Sequence, residues 1–353
     1  MMTLRHFSSG IESVPSATSW YLADLGEARG KQELFTRQSP QTLKVLREHA
    51  LIESAISSNR IEGVVVDQKR IGTIVFGKSH LRDRNEEEVR GYRDALKKLH
   101  ELGANLSVSE KTIRELHRLS RGGLGDAGQY KRKDSDIIER FPDGRVRVRF
   151  KTIPAAKTRA CVKETIQLWN EQFAARDVHP LILLAAMNLD FLCIHPFRDG
   201  NGRVSRLLLL LQCYHLGFQV GRYVSLERVI EENKERYYET LEQSSQNWHE
   251  GKHDPWPYIN YVLFVLKTAY REFEERAGQV KSPRGAKTAL VEAAIQAFGG
   301  EFSLADLERA CPGVSRDMIR RVLRNLQVEK QVVCLGRGPG AMWRKKGNTS
   351  KRG

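Results

Sequence analysis

The stretch Ile194-His-Pro-Phe-Arg-Asp-Gly-Asn-Gly-Arg-Val-Ser-Arg206 lies between two strongly apolar segments, predicted to be helices over 180–194 and 201–216. Gly200 and Gly202 allow the backbone to approach a ligand closely. The helix that follows them offers free N–H groups and the positive end of its dipole. This pattern is typical of an anion site, and a phosphate group fits it.

The side chains of the same stretch suit a magnesium nucleotide. Arg203 and Arg206 are three residues apart, so they share one helical face where their guanidinium groups can bind phosphate oxygens. Asp199 is the hard oxygen ligand that a magnesium ion bridging phosphates takes. His195, with an ordinary pKa of about 6.5, can take a proton from an attacking hydroxyl. A lone histidine here would more often be a core or capping residue, but the whole run favours a catalytic one.

This run resembles the signature of the Fic family, HPF-x-D/E-GNGR-x-x-R, and it matches every defined position of that signature. The resemblance covers roughly residues 40 to 275 and implies a mainly α, Fic-type helical core. Members of the family typically transfer AMP from ATP to a hydroxyl side chain of a target protein and release pyrophosphate. The related kinase-like branch has lysine in place of Gly202, so we expect AMP transfer rather than phosphate transfer.

The resemblance also implies roles for individual residues. His195 would be the base, Asp199 the ligand of Mg2+, and Phe197 the anchor of the loop in the core. The phosphates of ATP would be bound by Gly200, Asn201, Gly202, Arg203 and Arg206. These roles agree with the chemistry of the residues, because phosphoryl-type transfer depends mostly on positioning and charge stabilisation.

A second motif, Ser58-Asn-Arg-Ile-Glu62-Gly63, matches the inhibitory pattern S/T-x-x-x-E-G/N of the family. By resemblance, Glu62 would pair with Arg206 and block a productive position of the γ-phosphate. A carboxylate there would compete with the phosphate for the same guanidinium group. The alternative is an ordinary exposed glutamate before a glycine that ends a helix, here Gly63.

A β-hairpin is predicted within helical sequence, at 135–153. Val146, Val148 and Phe150 alternate after a Pro-Asp-Gly turn signal, which is typical of a strand that follows a tight turn. The hairpin resembles the flap on which Fic proteins dock their targets, where a strand can pair with a target segment. The candidate flap residues are Phe150, Lys151 and Thr152.

The stretch Asn233-Lys-Glu-Arg-Tyr-Tyr238 resembles the part of Fic proteins that lies behind the nucleotide pocket. Tyr237 and Tyr238 are therefore candidates for nucleotide binding. Tyrosines at such positions more often pack within a helical core, and both interpretations stay open.

After residue 285 the helical pattern restarts on a smaller scale. Helices are predicted at 287–298, from Ser303 and over 315–326, and residues 332–343 would form a wing. This order resembles a small winged helix-turn-helix (α+β) domain. Arg316, Arg320 and Arg324 form a stripe on the third helix, as on a helix that contacts DNA, although a solvated face is the plainer alternative.

Composition limits the classes of function. The chain has 353 residues, 40% hydrophobic and 29% charged, so we expect two or three structural units. The formal net charge is +15, and residues 281–353 hold 15 Lys and Arg against 6 Asp and Glu, which favours a polyanion such as DNA as a partner.

No apolar run approaches the roughly 20 residues of a membrane span, and the start lacks a signal peptide, so we expect a cytoplasmic protein. Five widely spaced cysteines indicate neither disulfides nor a zinc site.

These patterns predict six segments along the chain. They are an N-terminal extension without an assigned role (1–35), a helical region with the inhibitory motif (36–110), a Fic-like catalytic core (111–278), a linker (279–285), a winged-helix domain (286–345) and a disordered basic tail (346–353).

The expected function is that of a magnesium-dependent, self-inhibited protein adenylyltransferase. Its substrates would be ATP and the Ser, Thr or Tyr hydroxyls of target proteins, its own included. Two alternatives stay open: a DNA-binding regulator whose Fic-like domain senses nucleotide, and an enzyme that removes AMP, with Glu62 positioning water. DNA and a second copy of the chain in a homodimer are open as partners, and no membrane partner is expected.

Overall fold

The computed structural model describes residues 2–346 apart from 9, 12, 37–39, 78–79, 124, 141–142, 279–285, 299, 312–313, 337 and 339. The predicted linker, the tail after Lys346, Ser39 and the proline of the hairpin turn therefore lie outside the described residues. Within the described residues the chain is mainly helical, as the sequence predicts. No helix there is both long and apolar enough to cross a membrane.

Twelve of the described helices and one hairpin precede the linker. In chain order they are α1 (Thr3–Phe7), α2 (Ser16–Thr36), α3 (Pro40–Ile61), α4 (Ile71–Phe76), α5 (Arg84–Leu102), α6 (Glu110–Ser120), β1 (Ile137–Arg140), β2 (Val146–Phe150), α7 (Ala155–Ala175), α8 (Pro180–Ile194), α9 (Asn201–His215), α10 (Leu226–Glu232), α11 (Lys234–Ser245) and α12 (Trp256–Gly278).

Helix α8 forms the centre of the core. Every residue from Leu181 to Ile194 is buried, as expected for a helix that is apolar on all sides. Proline at its first position and the side chain of His179, which accepts from the backbone N–H of Leu181, fix where the helix begins. It ends at His195, whose φ of 52° turns the chain out of the helix. Helices α1, α7, α9 and α12 pack around it.

The extension, the predicted helical region and the predicted catalytic core share one hydrophobic core. Leu4 of α1, Leu46 of α3 and Leu99 of α5 lie in the same buried cluster as the residues of α8. The divisions near 35 and 110 therefore separate segments of sequence within one structural unit. Residues 2–7 are part of that unit, because α1 is buried against α8.

Strands β1 and β2 form an antiparallel hairpin in the predicted place, with Ile138 opposite Val148 and Arg140 opposite Val146. Ile138, Val146 and Val148 are exposed. These three apolar side chains of the hairpin thus face solvent, whereas Phe150 at the end of β2 packs against the core.

The part of the chain after the linker folds around a second core. It consists of α13 (Ala286–Ala297), β3 (Phe302–Ser303), α14 (Leu304–Ala310), α15 (Arg316–Val328), β4 (Val332–Cys334) and β5 (Met342–Lys345). The strands form an antiparallel sheet in the order β3-β5-β4. Ser303 and Ser315 cap α14 and α15, close to where the sequence predicts these helices to start. That this unit is a winged helix stays a prediction.

Candidate functional site

The loop between α8 and α9 is fixed by hydrogen bonds within itself. The side-chain amide of Asn201 accepts from the backbone N–H of Phe197 and donates to its carbonyl, both at 2.8 Å. The ring of Phe197 is fully buried and stacks on His117 at 3.7 Å between centroids. Gly200 takes a φ of 83°, which suits glycine, and opens α9. The buried ring of Phe197 therefore holds the loop against the core, as the resemblance implies.

The start of α9 provides donors for an anion. The backbone N–H groups of Asn201, Gly202 and Arg203 begin the helix and have no intrahelical partner. The amide oxygen and one N–H of the Asn201 side chain are used inside the loop, so its backbone N–H at the helix start is the donor best placed for a phosphate. These amides can bind an anion in the way that helix N-termini do.

His195 has the protonation state of a base. Its Nδ1 lies 3.3 Å from the carbonyl oxygen of Leu192, and since a carbonyl can only accept, Nδ1 carries the proton. Nε2 is therefore left with a free lone pair. Burial lowers the pKa of His195 to about 4, so the ring is neutral near pH 7.

Lys131 lies beside His195, and sequence reasoning did not find it. Its Nζ donates to the carbonyl of Ile194 at 3.3 Å and to Oγ1 of Thr152 at 2.6 Å. Burial lowers the pKa of Lys131 to about 8. This lysine therefore connects the end of the hairpin segment to the residue before His195.

Arg203 is almost completely buried and held by a carboxylate that the sequence analysis also missed. Its Nη1 donates to Glu88 at 2.8 Å and to Asn59 at 3.2 Å. Glu88 of α5 also accepts from Arg84 at 3.0 Å and Arg121 at 2.8 Å. In the sequence, the one indication of this role is that Glu88 lies on the buried face of an amphipathic helix.

Asp199 keeps an anionic carboxylate that is partly open to solvent. It accepts from the N–H of Gly200 at 2.6 Å, from Arg121 at 2.6 Å and from Arg84 at 3.1 Å. Burial alone would raise its pKa, but Arg121 and Arg203 outweigh burial and hold the pKa below its ordinary value.

Asp199 is the residue of the loop that would hold a magnesium ion. No cluster of three or more His, Cys, Asp or Glu side chains suited to a metal occurs among the described residues. A magnesium ion that takes most of its ligands from phosphates and water needs only one such carboxylate. The half-exposed, anionic Asp199 next to the free amides fits that requirement.

Glu62 and Arg206 form the ion pair that the sequence predicts. Nη2 of Arg206 donates to Oε1 of Glu62 at 2.8 Å and to the carbonyl of Ser58 at 2.9 Å, and its Nε donates to Oγ of Ser58 at 2.9 Å. Gly63 ends the segment with a φ of 82°. The Glu62 carboxylate lies over the start of α9, 2.2 Å from where a Cβ at Gly202 would be. Glu62 is exposed and precedes a glycine of positive φ, as the alternative describes, but its carboxylate is also paired with Arg206.

The two tyrosines occupy different environments. Tyr237 is buried, with its ring 5.7 Å from that of Tyr261, so packing accounts for it. Tyr238 is half-buried, and its hydroxyl donates to the carbonyl of Ile61 at 3.4 Å, next to Glu62.

The predicted flap residues also differ from one another. Phe150 stacks on the ring of His249 at 5.2 Å, and the carbonyl of Lys151 accepts from the same histidine at 2.6 Å. Thr152 is buried and bonded to Lys131. Of the three, only the side chain of Lys151 is free to meet a partner in solution.

The arginines of α15 belong to the C-terminal unit, which folds around the second core, and not to the α8–α9 loop. Arg316 pairs with Glu308 at 3.1 Å, and Arg320 pairs with Asp317 at 3.6 Å. Arg324 donates to the carbonyl of Arg320 at 3.4 Å. All three are exposed on one side of the helix, while Ile319 and Leu323 face the core.

Comparison with known proteins identifies the domain that contains this loop. Residues 107–213 match the model of the Fic/DOC family. The chain therefore carries a Fic domain over these residues.

Two curated relatives are both named protein adenylyltransferase Fic. The one from Nematostella vectensis is 25% identical over 227 residues, which is 61% of this chain and 47% of that protein. The one from Drosophila persimilis is 26% identical over 181 residues, which is 49% of this chain and 33% of that protein. This chain thus spans less than half the length of these relatives.

Solved structures show the same fold. A Fic family protein from Desulfovibrio desulfuricans has a TM-score of 0.61 at 23% identity, covering 96% of this chain and 98% of the other. A Fic domain containing signaling protein from Bacteroides thetaiotaomicron has a TM-score of 0.59 at 21% identity, covering 72% of this chain and 97% of the other. At these identities the likeness concerns the fold alone.

Proposed function

We propose that this chain is a protein adenylyltransferase that transfers AMP from ATP to a Ser, Thr or Tyr hydroxyl of a target protein, its own hydroxyls included. One observation carries the proposal: a neutral histidine with a free Nε2 stands at the entrance of a rigid loop that leads into an anion-binding helix start. The names of the relatives support the same activity.

In the proposed reaction, Nε2 of His195 accepts the proton of the target hydroxyl. The hydroxyl oxygen attacks the α-phosphorus of ATP, the bond between that phosphorus and the bridging oxygen to the β-phosphorus breaks, and pyrophosphate leaves. The amides at the start of α9 stabilise the charge on the phosphates, whereas Arg203 would have to leave its pair with Glu88 to bind them directly. Mg2+ held by Asp199 would neutralise part of that charge.

The proposal includes a restraint by Glu62. Arg206 can bind a phosphate oxygen bidentately only with the donor that Glu62 now occupies. The glutamate also covers Gly202, beside the free amides. Nucleotide can therefore bind in a productive position only after the carboxylate has moved.

The experiment that tests the base is the substitution His195→Ala in a Glu62→Gly background. Transfer of label from ATP labelled at the α-phosphate is measured with magnesium, and ATP binding is measured by calorimetry. We expect transfer to fall by about 10²-fold or more while binding persists. The matched control is His80→Ala, which removes an exposed histidine outside the site. Undiminished transfer by the His195 variant would contradict the role of that residue.

A second function, DNA binding, is favoured by the exposed arginine row on α15. Arg320→Ala with Arg324→Ala would then weaken binding to duplex DNA and lower the slope of log K against log salt by about 2. The control pair is Arg159→Ala with Arg271→Ala, two exposed arginines elsewhere. An unchanged slope would remove this function and leave the adenylyltransferase proposal untouched.

Removal of AMP from a modified hydroxyl is the remaining alternative. It needs a carboxylate that can position water near His195, and Glu62 is the group that would do so. Release of AMP from a self-modified sample, compared between the unmodified chain and Glu62→Gln, separates this reverse reaction from forward transfer.

A further inference from the structure

A cleft of about 930 Å³ opens beside the α8–α9 loop and shares Asp199 with the site described above. Its walls are the segment 125–135, the ends of α5 and α6, and the loop residues Arg198 and Asp199. Neither His195 nor the Glu62–Arg206 pair lines it. The roles proposed above therefore leave most of this cleft without a function.

The charges in the cleft are unbalanced. Lys131, Arg132, Lys133 and Arg198 line it, and none of the four forms an ion pair with a residue that the structure describes. Three of them are exposed, and Lys131 is buried. By contrast, the other two cations of the lining, Arg84 and Arg121, are paired with carboxylates.

The acidic residues of the lining compensate this charge only in part. Asp126 and Asp199 are bonded to Arg121, at 3.3 and 2.6 Å. Asp134 accepts the backbone N–H of Ala155 at 2.7 Å and attracts Lys131, which leaves the three exposed cations without a carboxylate of their own. The cleft thus has a surplus of positive charge available to a ligand.

The position of the cleft indicates what that ligand is. Lys131, in its floor, donates to the carbonyl of Ile194, the residue before His195. Arg198 belongs to the same loop as His195. The segment 131–135 leads directly into β1 of the hairpin. A chain lying in the cleft would therefore pass next to the proposed base.

We infer that this cleft binds an acidic segment of the target protein, with Asp or Glu side chains close in sequence to the hydroxyl that is modified. The inference rests on the proposed function, because it names the substrate class of the same site. The carboxylates of the segment pair with Lys133 and Arg198 at the rim, and Arg132 adds a third cation there. Long-range attraction between opposite charges also steers such a segment to the site.

The experiment measures peptide binding by fluorescence anisotropy at low salt, with the full chain and without nucleotide. The probe is a short fluorescein-labelled peptide in which glutamates flank one serine, and the comparison peptide has glutamine in place of glutamate. We expect the glutamate peptide to bind, and Lys133→Glu with Arg198→Glu to weaken that binding about tenfold or more. The control pair is Lys163→Glu with Lys252→Glu, which makes the same change of charge on exposed lysines elsewhere.

Equal binding by the cleft variant and the control variant, at an unchanged melting temperature, would overturn the inference. Equal binding of the glutamine peptide would overturn it as well. A third result would also overturn it: the glutamate peptide does not bind, but a single-stranded oligothymidylate does, and the cleft substitutions abolish that binding. The cleft would then bind nucleic acid. Since no transfer is measured, failure of the adenylyltransferase proposal is detected separately, by the labelling experiments.

Discussion

At the scale of single residues, Gly202 shows how closely Glu62 approaches the start of α9. A Cβ on this residue would lie 2.2 Å from Oε1 of Glu62 and 3.2 Å from Nη1 of Arg206. Real atoms do not come that close, so any side chain here must displace the glutamate. A residue without a side chain is thus required at this position by the Glu62–Arg206 pair.

This contact gives a prediction about stability that does not depend on activity. Gly202→Ala should cost up to about 1 kcal/mol when Glu62 is present, because the Glu62 carboxylate must move and give up its bond to Arg206. In a Glu62→Gly background the same change should be neutral or stabilising, because alanine favours a helix by about 1 kcal/mol over glycine. Urea unfolding of the four proteins of this cycle measures the difference. An identical effect of Gly202→Ala in both backgrounds would show that Glu62 does not lie over this position.

Residues of the site differ in how well the sequence could predict them. His195, Asp199 and Arg206 belong to a compact motif, so their proximity follows from spacing along one loop and one helix turn. Glu88 and Lys131 contact the motif from separate elements and have no pattern of their own. Their burial and their partners arise only from tertiary packing, which no local pattern contains.

At the scale of elements, α1 is held by a buried carboxylate on α8. The carboxylate of Asp190 accepts three hydrogen bonds. They come from the backbone N–H of Thr3 at 2.7 Å, the backbone N–H of Leu4 at 2.9 Å and Nε1 of Trp248 at 2.8 Å. It thereby satisfies two of the free donors at the start of α1. The sequence assigns no role to the N-terminal extension, but in the structure Asp190 ties its first helix to the core.

Asp190→Ala should therefore destabilise the fold by about 3 kcal/mol, because it leaves three buried donors without an acceptor. Asp177→Ala, at an exposed aspartate just before α8, is the matched control and should change stability by less than about 0.5 kcal/mol. Thermal and urea unfolding measure both variants. Equal stability of the two variants would contradict the structural role of Asp190.

Most elements could be predicted from periodicity and end signals, and the exceptions have physical reasons. The helical pattern of the sequence continues over 226–246, but α10 ends at Glu232 and α11 begins at Lys234. The side chain of Asn233 donates to the carbonyl of Val229 at 2.8 Å and its backbone leaves helical geometry there. A single asparagine is a weak signal within a helical pattern, so this break could not be predicted.

At the scale of the whole molecule, α3 joins the two cores. Val45 near its start is buried in the core of the C-terminal unit, and the ring of His49 contacts that of Phe298 at 6.0 Å. The other end of α3 carries Ser58, bonded to Arg206. The sequence predicts a second unit after the linker but not this packing, because α3 has a weakly amphipathic pattern that does not reveal two partners.

Buried neutral histidines predict how stability depends on pH. Burial lowers the pKa values of His49, His117 and His253 to about 4 in the folded state, compared with about 6.5 when unfolded. Between these values the unfolded chain binds protons that the folded chain does not, so stability falls as pH decreases from about 6.5 towards 4. Each histidine contributes about 1.4 kcal/mol per pH unit in that window at most. Urea unfolding at pH 7.5, 6 and 5 measures this, and constant stability across the series would contradict it.

The central claim is that this Fic domain transfers AMP and that Glu62 restrains it. The most direct test is transfer of label from ATP labelled at the α-phosphate, with magnesium, onto the chain itself and onto a cell extract. The account predicts that Glu62→Gly labels roughly tenfold or more above the unmodified chain, whereas Glu250→Gly, at an exposed turn, labels no more than the unmodified chain. Absence of labelling by the Glu62 variant, with the fold intact and ATP bound, would contradict the account.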